Sequence, residues 1–131
     1  LQVGSHTPAW CTASGKLYLS SLPRQRRQKI VNHLPLHQYA RNTIVDPEHL
    51  EENLLAVKAS NISTDNEEFV DGMVGCAVPI LDSEQRLCAC LFIHAPVVRK
   101  SLHELISYSD ILHTAATELG SLIDGHDSTS S

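Results

Sequence analysis

Apolar positions along the chain change their period twice. Leu17, Leu19 and Leu22 follow Thr12 and Ser14, either of which can cap a helix, so a short helix is predicted as far as Leu22. Pro23 suits the first turn of a second helix, where its missing N–H costs nothing. Ile30, Val31 and Leu34 form that helix's inward side, and Pro35 ends it. Asp46-Pro47-Glu48 is a third start: an N-cap, a first-turn proline, and an acid that suits the helix dipole. Leu50, Leu54 and Val57 follow at helical spacing, and Asn61 is a plausible left-handed stop. The period then shortens. Ile62–Asp65 reads as a strand and Glu67–Val70 as its continuation or a bend. Gly75–Leu81 and Leu87–His94 read as two strands joined by the hairpin turn Asp82-Ser83-Glu84-Gln85-Arg86. Both are apolar at most positions, so the sheet is expected to be covered on at least one face. Ser101-Leu102-His103-Glu104 is a capping box. Leu102, Leu105, Leu112, Ala116, Leu119 and Ile123 then mark one face of a single long helix ending near Gly125. Gly4 to Pro8 is a turn-rich entry. Helices with an antiparallel sheet, and no strict βα alternation, predict an α+β fold.

The length, 131 residues, fits one domain. The expected division is a domain over residues 1–125 and a flexible polar tail over 126–131. A hydrophobic content of 42% is enough for a core. The net charge of -5 argues against a DNA-gripping surface, which needs a concentrated basic face. The one basic cluster, Arg24, Arg26, Arg27 and Lys29, reads as a solvated helix face. No apolar run approaches membrane-spanning length. The chain opens on Leu1 rather than Met, as a piece of a longer protein would. Cys88 and Cys90 alternate along one strand face among apolar residues. The four cysteines are therefore expected to be free, buried thiols in a reducing cytoplasm.

Catalytic and metal signatures are weak. There is no G-x-S-x-G elbow, C-x-x-C pair or H-E-x-x-H helix, despite eight histidines. His33 and His37 straddle Pro35 and so do not share a helix face. No metal and no cofactor are expected. Cys11 beside Thr12 could act as a nucleophile at a helix N-terminus, which keeps a thiol redox enzyme open as a rival. The stronger pattern is an apolar pocket with few polar groups. The helix starting at Thr12-Ala13-Ser14-Gly15 offers free backbone N–H groups to an anion. His94 closes an otherwise apolar strand, where it is either a rim residue or a ligand group. Asp65 can accept from a ligand hydroxyl or cap a turn.

Several motifs follow one another in a telling order. Cys11-Thr12-Ala13-Ser14-Gly15-Lys16 is a small-residue run ending in G-K, closed by Leu22-Pro23. Next stand Thr43-Ile44-Val45-Asp46-Pro47-Glu48-His49-Leu50, then Asp65-Asn66-Glu67-Glu68 with Gly72, then Ala77-Val78-Pro79-Ile80-Leu81-Asp82. The last strand is followed by Pro96 and Arg99. In this order the chain resembles the effector-binding domain of IclR-type bacterial transcriptional regulators.

The resemblance implies a GAF-like, profilin-like domain with a curved antiparallel sheet flanked by helices. It implies a non-catalytic sensor of a small organic acid, cytoplasmic, and a homodimer or homotetramer. DNA would be bound only through a winged helix-turn-helix ahead of Leu1, and the sensor's own first helix and strands would also precede it. The effector positions implied are Ala13, Ser14, Asp65, Gly75, Cys76, Phe92 and His94. At the last two this chain departs from the family's small polar residues, which shrinks the cavity and favours ring character in the ligand. A thiol redox enzyme and an oligomerisation module without ligand are the alternatives.

Overall fold

The computed structural model describes residues 8–130, with side chains described as far as residue 123. Most of the turn-rich entry from Gly4 lies outside the described residues. Three helices come first: α1 (Ala13–Ser21), α2 (Arg24–His33) and α3 (Pro47–Ser60). Three strands follow: β1 (Ser63–Asn66), β2 (Met73–Leu81) and β3 (Leu87–Pro96). Two helices, α4 (Leu102–Ser107) and α5 (Ser109–Ser130), end the chain's described part.

The predicted caps form. Thr12 Oγ1 accepts from the Gly15 N–H, and Asp46 Oδ2 accepts from the His49 N–H. Asn61 closes α3 in the left-handed conformation at φ 58°. Ser101 and Glu104 complete the capping box.

The sheet is antiparallel in the order β1-β2-β3. Its two faces bury different partners. Val74, Cys76, Val78 and Ile80 point to one side and pack with Leu105, Leu112 and Ala116. Ala77, on the other side, packs with Ala13, Leu17 and Val57. α1 crosses this second face and touches all three strands. Trp10, Leu19, Leu22, Val31, Leu50 and Leu54 form a further core between the first three helices. The domain is therefore α+β, with helices on both sides of the sheet.

Five sequence expectations are corrected. The long C-terminal helix is two helices. The Tyr108 N–H bonds back to Leu105 O, so the regular ladder breaks at Tyr108, and Leu112 N–H bonding to Tyr108 O restarts it. The second of these helices continues past Gly125 to Ser130. Leu119 is not on the buried face; Gly120 is, lying so close to β2 that a Cβ there would sit 2.4 Å from Leu81 O. Arg27 is not solvated but buried, with its Nε 2.5 Å from Glu51 Oε1, while Arg24, Arg26 and Lys29 are exposed. Cys88 is exposed and Cys90 only partly covered, on β3, the edge strand among the described residues; Cys11 and Cys76 are buried, and all four are free. Of the two readings left open for Glu67–Val70, strand continuation or bend, the bend is the one observed, with Glu67 at φ 55°.

Candidate effector site

The N-terminus of α1 has two amides to spare. Thr12 uses its side chain on the Gly15 N–H at 3.1 Å and its carbonyl on the Lys16 N–H at 3.0 Å. The Ala13 and Ser14 N–H groups have no acceptor among the described residues. Both carry the partial positive charge of a helix start. Gly15 is required here: a Cβ would lie 2.6 Å from Ala9 Cα and Ala9 O. It lets the preceding turn fold back tightly against the helix.

Below α1, pairing across the sheet arranges side chains as a grid. Asp65 pairs with Gly75, and Gly75 with His94. One row along, Ser63 pairs with Ala77, and Ala77 with Phe92. Paired residues point to the same face, so the central strand contributes only a hydrogen and a methyl group between larger neighbours. Gly75 thus leaves a narrow, side-chain-free trough in its row, between Asp65 and His94; the position itself is buried, and a Cβ there would lie 3.2 Å from His94 Cβ. The Phe92 and His94 rings stack, with centroids 5.7 Å apart and planes 16° apart. Phe92 is 52% exposed, so its ring forms an open wall.

Six of the seven positions expected from sequence thus lie on one face or above it. Cys76 does not. It points to the opposite side, fully buried, with its Sγ 3.6 Å from Leu105 O. The physical reason is the strand's two-residue period: Gly75 and Cys76 cannot share a face. Two cavities, of about 490 and 450 Å³, open elsewhere, at the hairpin end of the sheet. They are lined by residues such as Leu17, Val57, Pro79 and Leu81, or Asn61, His113 and Gly120, and by none of the expected site residues.

The electrostatics centre on Asp65. Its Oδ1 accepts from the Glu68 N–H at 2.8 Å. Burial pushes its carboxyl above the ordinary range, and the Glu68 charge adds to that; backbone hydrogen bonds and Lys16 oppose it. Behind it, Lys16 Nζ and Glu68 Oε1 form a buried ion pair at 2.7 Å. Sequence reasoning missed this pair. The available signal was the helical spacing of Ala13, Lys16 and Ser20, which puts Lys16 on the covered side of α1. It also missed Ser63, fully buried beside Asp65's row, whose Oγ has no partner among the described residues.

Burial also disfavours the thiolate at three of the cysteines. Burial raises the Cys11 thiol to about 12, and the Asp65 and Glu68 charges contribute. Burial likewise raises Cys76 and Cys90. A thiol held protonated is a poor nucleophile. Among the described residues no cluster of three His, Cys, Asp or Glu side chains could hold a metal ion.

Residues 1–121 match the family model for the bacterial transcriptional regulator IclR C-terminal domain. The chain belongs to the IclR family. Its relatives include the "Probable transcriptional regulator SauR" of Cupriavidus necator, 36% identical over 91% of this chain and 47% of that protein. The HTH-type transcriptional regulator KdgR of Escherichia coli is 31% identical over 96% of this chain and 48% of its own length. The chain thus spans about half the length of these IclR-family relatives. Among solved structures, the C-terminal domain of E. coli KdgR superposes with a TM-score of 0.81 at 30% identity, over 90% of this chain and 72% of that one. The inducer-binding domain of an Acinetobacter PobR double mutant, in complex with 3-hydroxybenzoic acid, superposes with a TM-score of 0.83 at 30% identity, over 87% of this chain and 66% of that one. The α+β, GAF-like assignment and the effector-binding-domain assignment both stand on these matches. No helix among the described residues is long and apolar enough to cross a membrane.

Proposed function

We propose that this chain senses a small organic carboxylate for an IclR-type, DNA-binding transcriptional regulator, and that it is not an enzyme. One observation carries the reading: the unclaimed Ala13 and Ser14 amides sit on the helix packed against the sheet face to which Gly75 belongs. A carboxylate would take those two N–H groups. His94 would add a third donor from across the trough, and Asp65 would receive a hydroxyl or, when protonated, donate one hydrogen bond. Phe92 and His94 together favour a flat, conjugated body on the acid.

Binding would act by preferring one arrangement of the regulator over another, to the extent of its difference in affinity for the two. DNA contact would come from another part of the regulator, since this chain carries a net charge of -5. A cytoplasmic homodimer or homotetramer fits this role, with residues 1–125 as the sensor unit.

A thermal-shift screen of organic acids, with 3-hydroxybenzoate among them, tests the reading. An acid at about 100 times its Kd should stabilise the chain by about 2.7 kcal/mol. The shift should shrink for Gly75→Val, which fills the trough. An acid that stabilises both proteins equally binds elsewhere and sinks this assignment.

A further inference from the structure

We propose that the buried Lys16–Glu68 ion pair is the positioning device of the effector site, holding the amides of α1 in register with Asp65. The inference rests on the reading of this face as the effector site and adds two residues to it.

The pair joins positions 52 residues apart, one in each half of the site. Lys16 lies one turn beyond Thr12, on the helix whose start presents Ala13 and Ser14. Glu68 lies in the bend that follows β1. Two of its hydrogen bonds face the strand end: Oε2 accepts from the Asn66 N–H at 2.9 Å, and its own N–H donates to Asp65 Oδ1 at 2.8 Å. Its carbonyl accepts from the Thr43 hydroxyl at 2.5 Å. One carboxylate therefore ties Lys16 to Asn66, and one amide ties the same residue to Asp65.

Stability alone does not account for the pair. Lys16 is fully buried and Glu68 is 5% exposed, so both charges have left water. Desolvation offsets most of the Coulomb attraction in such pairs, and apolar replacements of similar volume are often as stable. What an apolar pair cannot supply is direction. A methionine pair would let α1 slide or rotate over the bend; an ammonium on a carboxylate oxygen fixes one register. The G-K and D-x-E-E motifs are thus two ends of one contact, and each end carries an effector group beside it.

The experiment compares the wild-type chain with the double variant Lys16→Met/Glu68→Met by residue-resolved amide exchange. The expected result is a similar melting temperature, with exchange at Gly15, Lys16, Asn66 and Glu68 faster by about ten-fold or more and exchange at Ala77 and Val78 unchanged. Should the double variant not fold, Lys16→Met/Glu68→Gln strands neither charge and keeps an oxygen for the Asn66 N–H, and the amides of residues 15 and 16 should still open. Unchanged exchange at those four residues, or a uniform rise across the sheet, would overturn the proposal. 3-Hydroxybenzoate and the other acids of the screen are then titrated into both proteins. Wild-type binding that weakens in the variant supports positioning; equal binding by both overturns it. A wild-type chain that binds none of them removes the effector reading, while the exchange data still decide the register.

Discussion

Ser63 is fully buried, and its hydroxyl has no partner among the described residues. A buried polar group without a hydrogen bond costs about 1–3 kcal/mol. Ser63→Ala should therefore fold and gain up to about 1 kcal/mol in urea unfolding. A loss of similar size would mean that the hydroxyl is bonded in solution. Asp65 gives a pH test. Its folded pKa is raised, first by burial and then by the Glu68 charge. The folded state therefore binds the proton more tightly than the unfolded chain. Stability should fall as pH rises from the ordinary carboxylate range through the folded pKa, and level off above it. Asp65→Asn should remove that part of the slope when unfolding is followed from about pH 3 to about pH 7. A carboxylate effector should bind better as pH falls through the raised pKa of Asp65, for as long as the effector itself stays ionised, because it then meets a neutral Asp65. An unchanged stability slope in the Asn variant would assign the titration to another group.

Among the elements, α5 depends on one glycine. Gly120 lies against β2, and a Cβ there would come within 2.4 Å of Leu81 O, a backbone atom that cannot swing away. Gly120→Ala removes backbone freedom that a helix does not need, which alone would stabilise it. Here the clash should win, with a net loss of about 1–3 kcal/mol by denaturant titration. A stabilised variant would show that α5 stands further from the sheet. The α1–bend contact makes a sharper contrast. Lys16→Met strands the Glu68 charge in the interior and should cost about 3–5 kcal/mol, whereas Lys16→Met/Glu68→Met should cost far less. Equal losses in the two variants would mean that the ammonium contributes packing rather than charge pairing.

For the whole molecule, charge and fold point the same way. A net charge of -5 should leave this chain without tight binding to duplex DNA at physiological salt, by mobility shift or anisotropy. Nanomolar, salt-sensitive binding would contradict that expectation. The chain's family and fold rest on matches across nearly its full length, and the chain spans about half the length of the curated relatives it matches.

Sequence alone determined the local events. Caps at Thr12, Asp46 and Ser101, the left-handed stop at Asn61 and the β2–β3 hairpin are set by residues within a few positions of each other. Their chemistry is therefore written in short stretches of chain. The motif order also carried the family, and with it most of the candidate site. Tertiary structure decided what depends on partners distant in sequence. Which of Gly75 and Cys76 faces α1 follows from strand register; that Arg27 and Lys16 are buried follows from Glu51 and Glu68 arriving beside them. A period-3.6 pattern shows a stripe of apolar residues but not where the helix breaks or which residue touches a neighbouring strand. Tyr108 and Gly120 were settled only when α4 and α5 packed onto β2, because the contact distances there are properties of two elements rather than one.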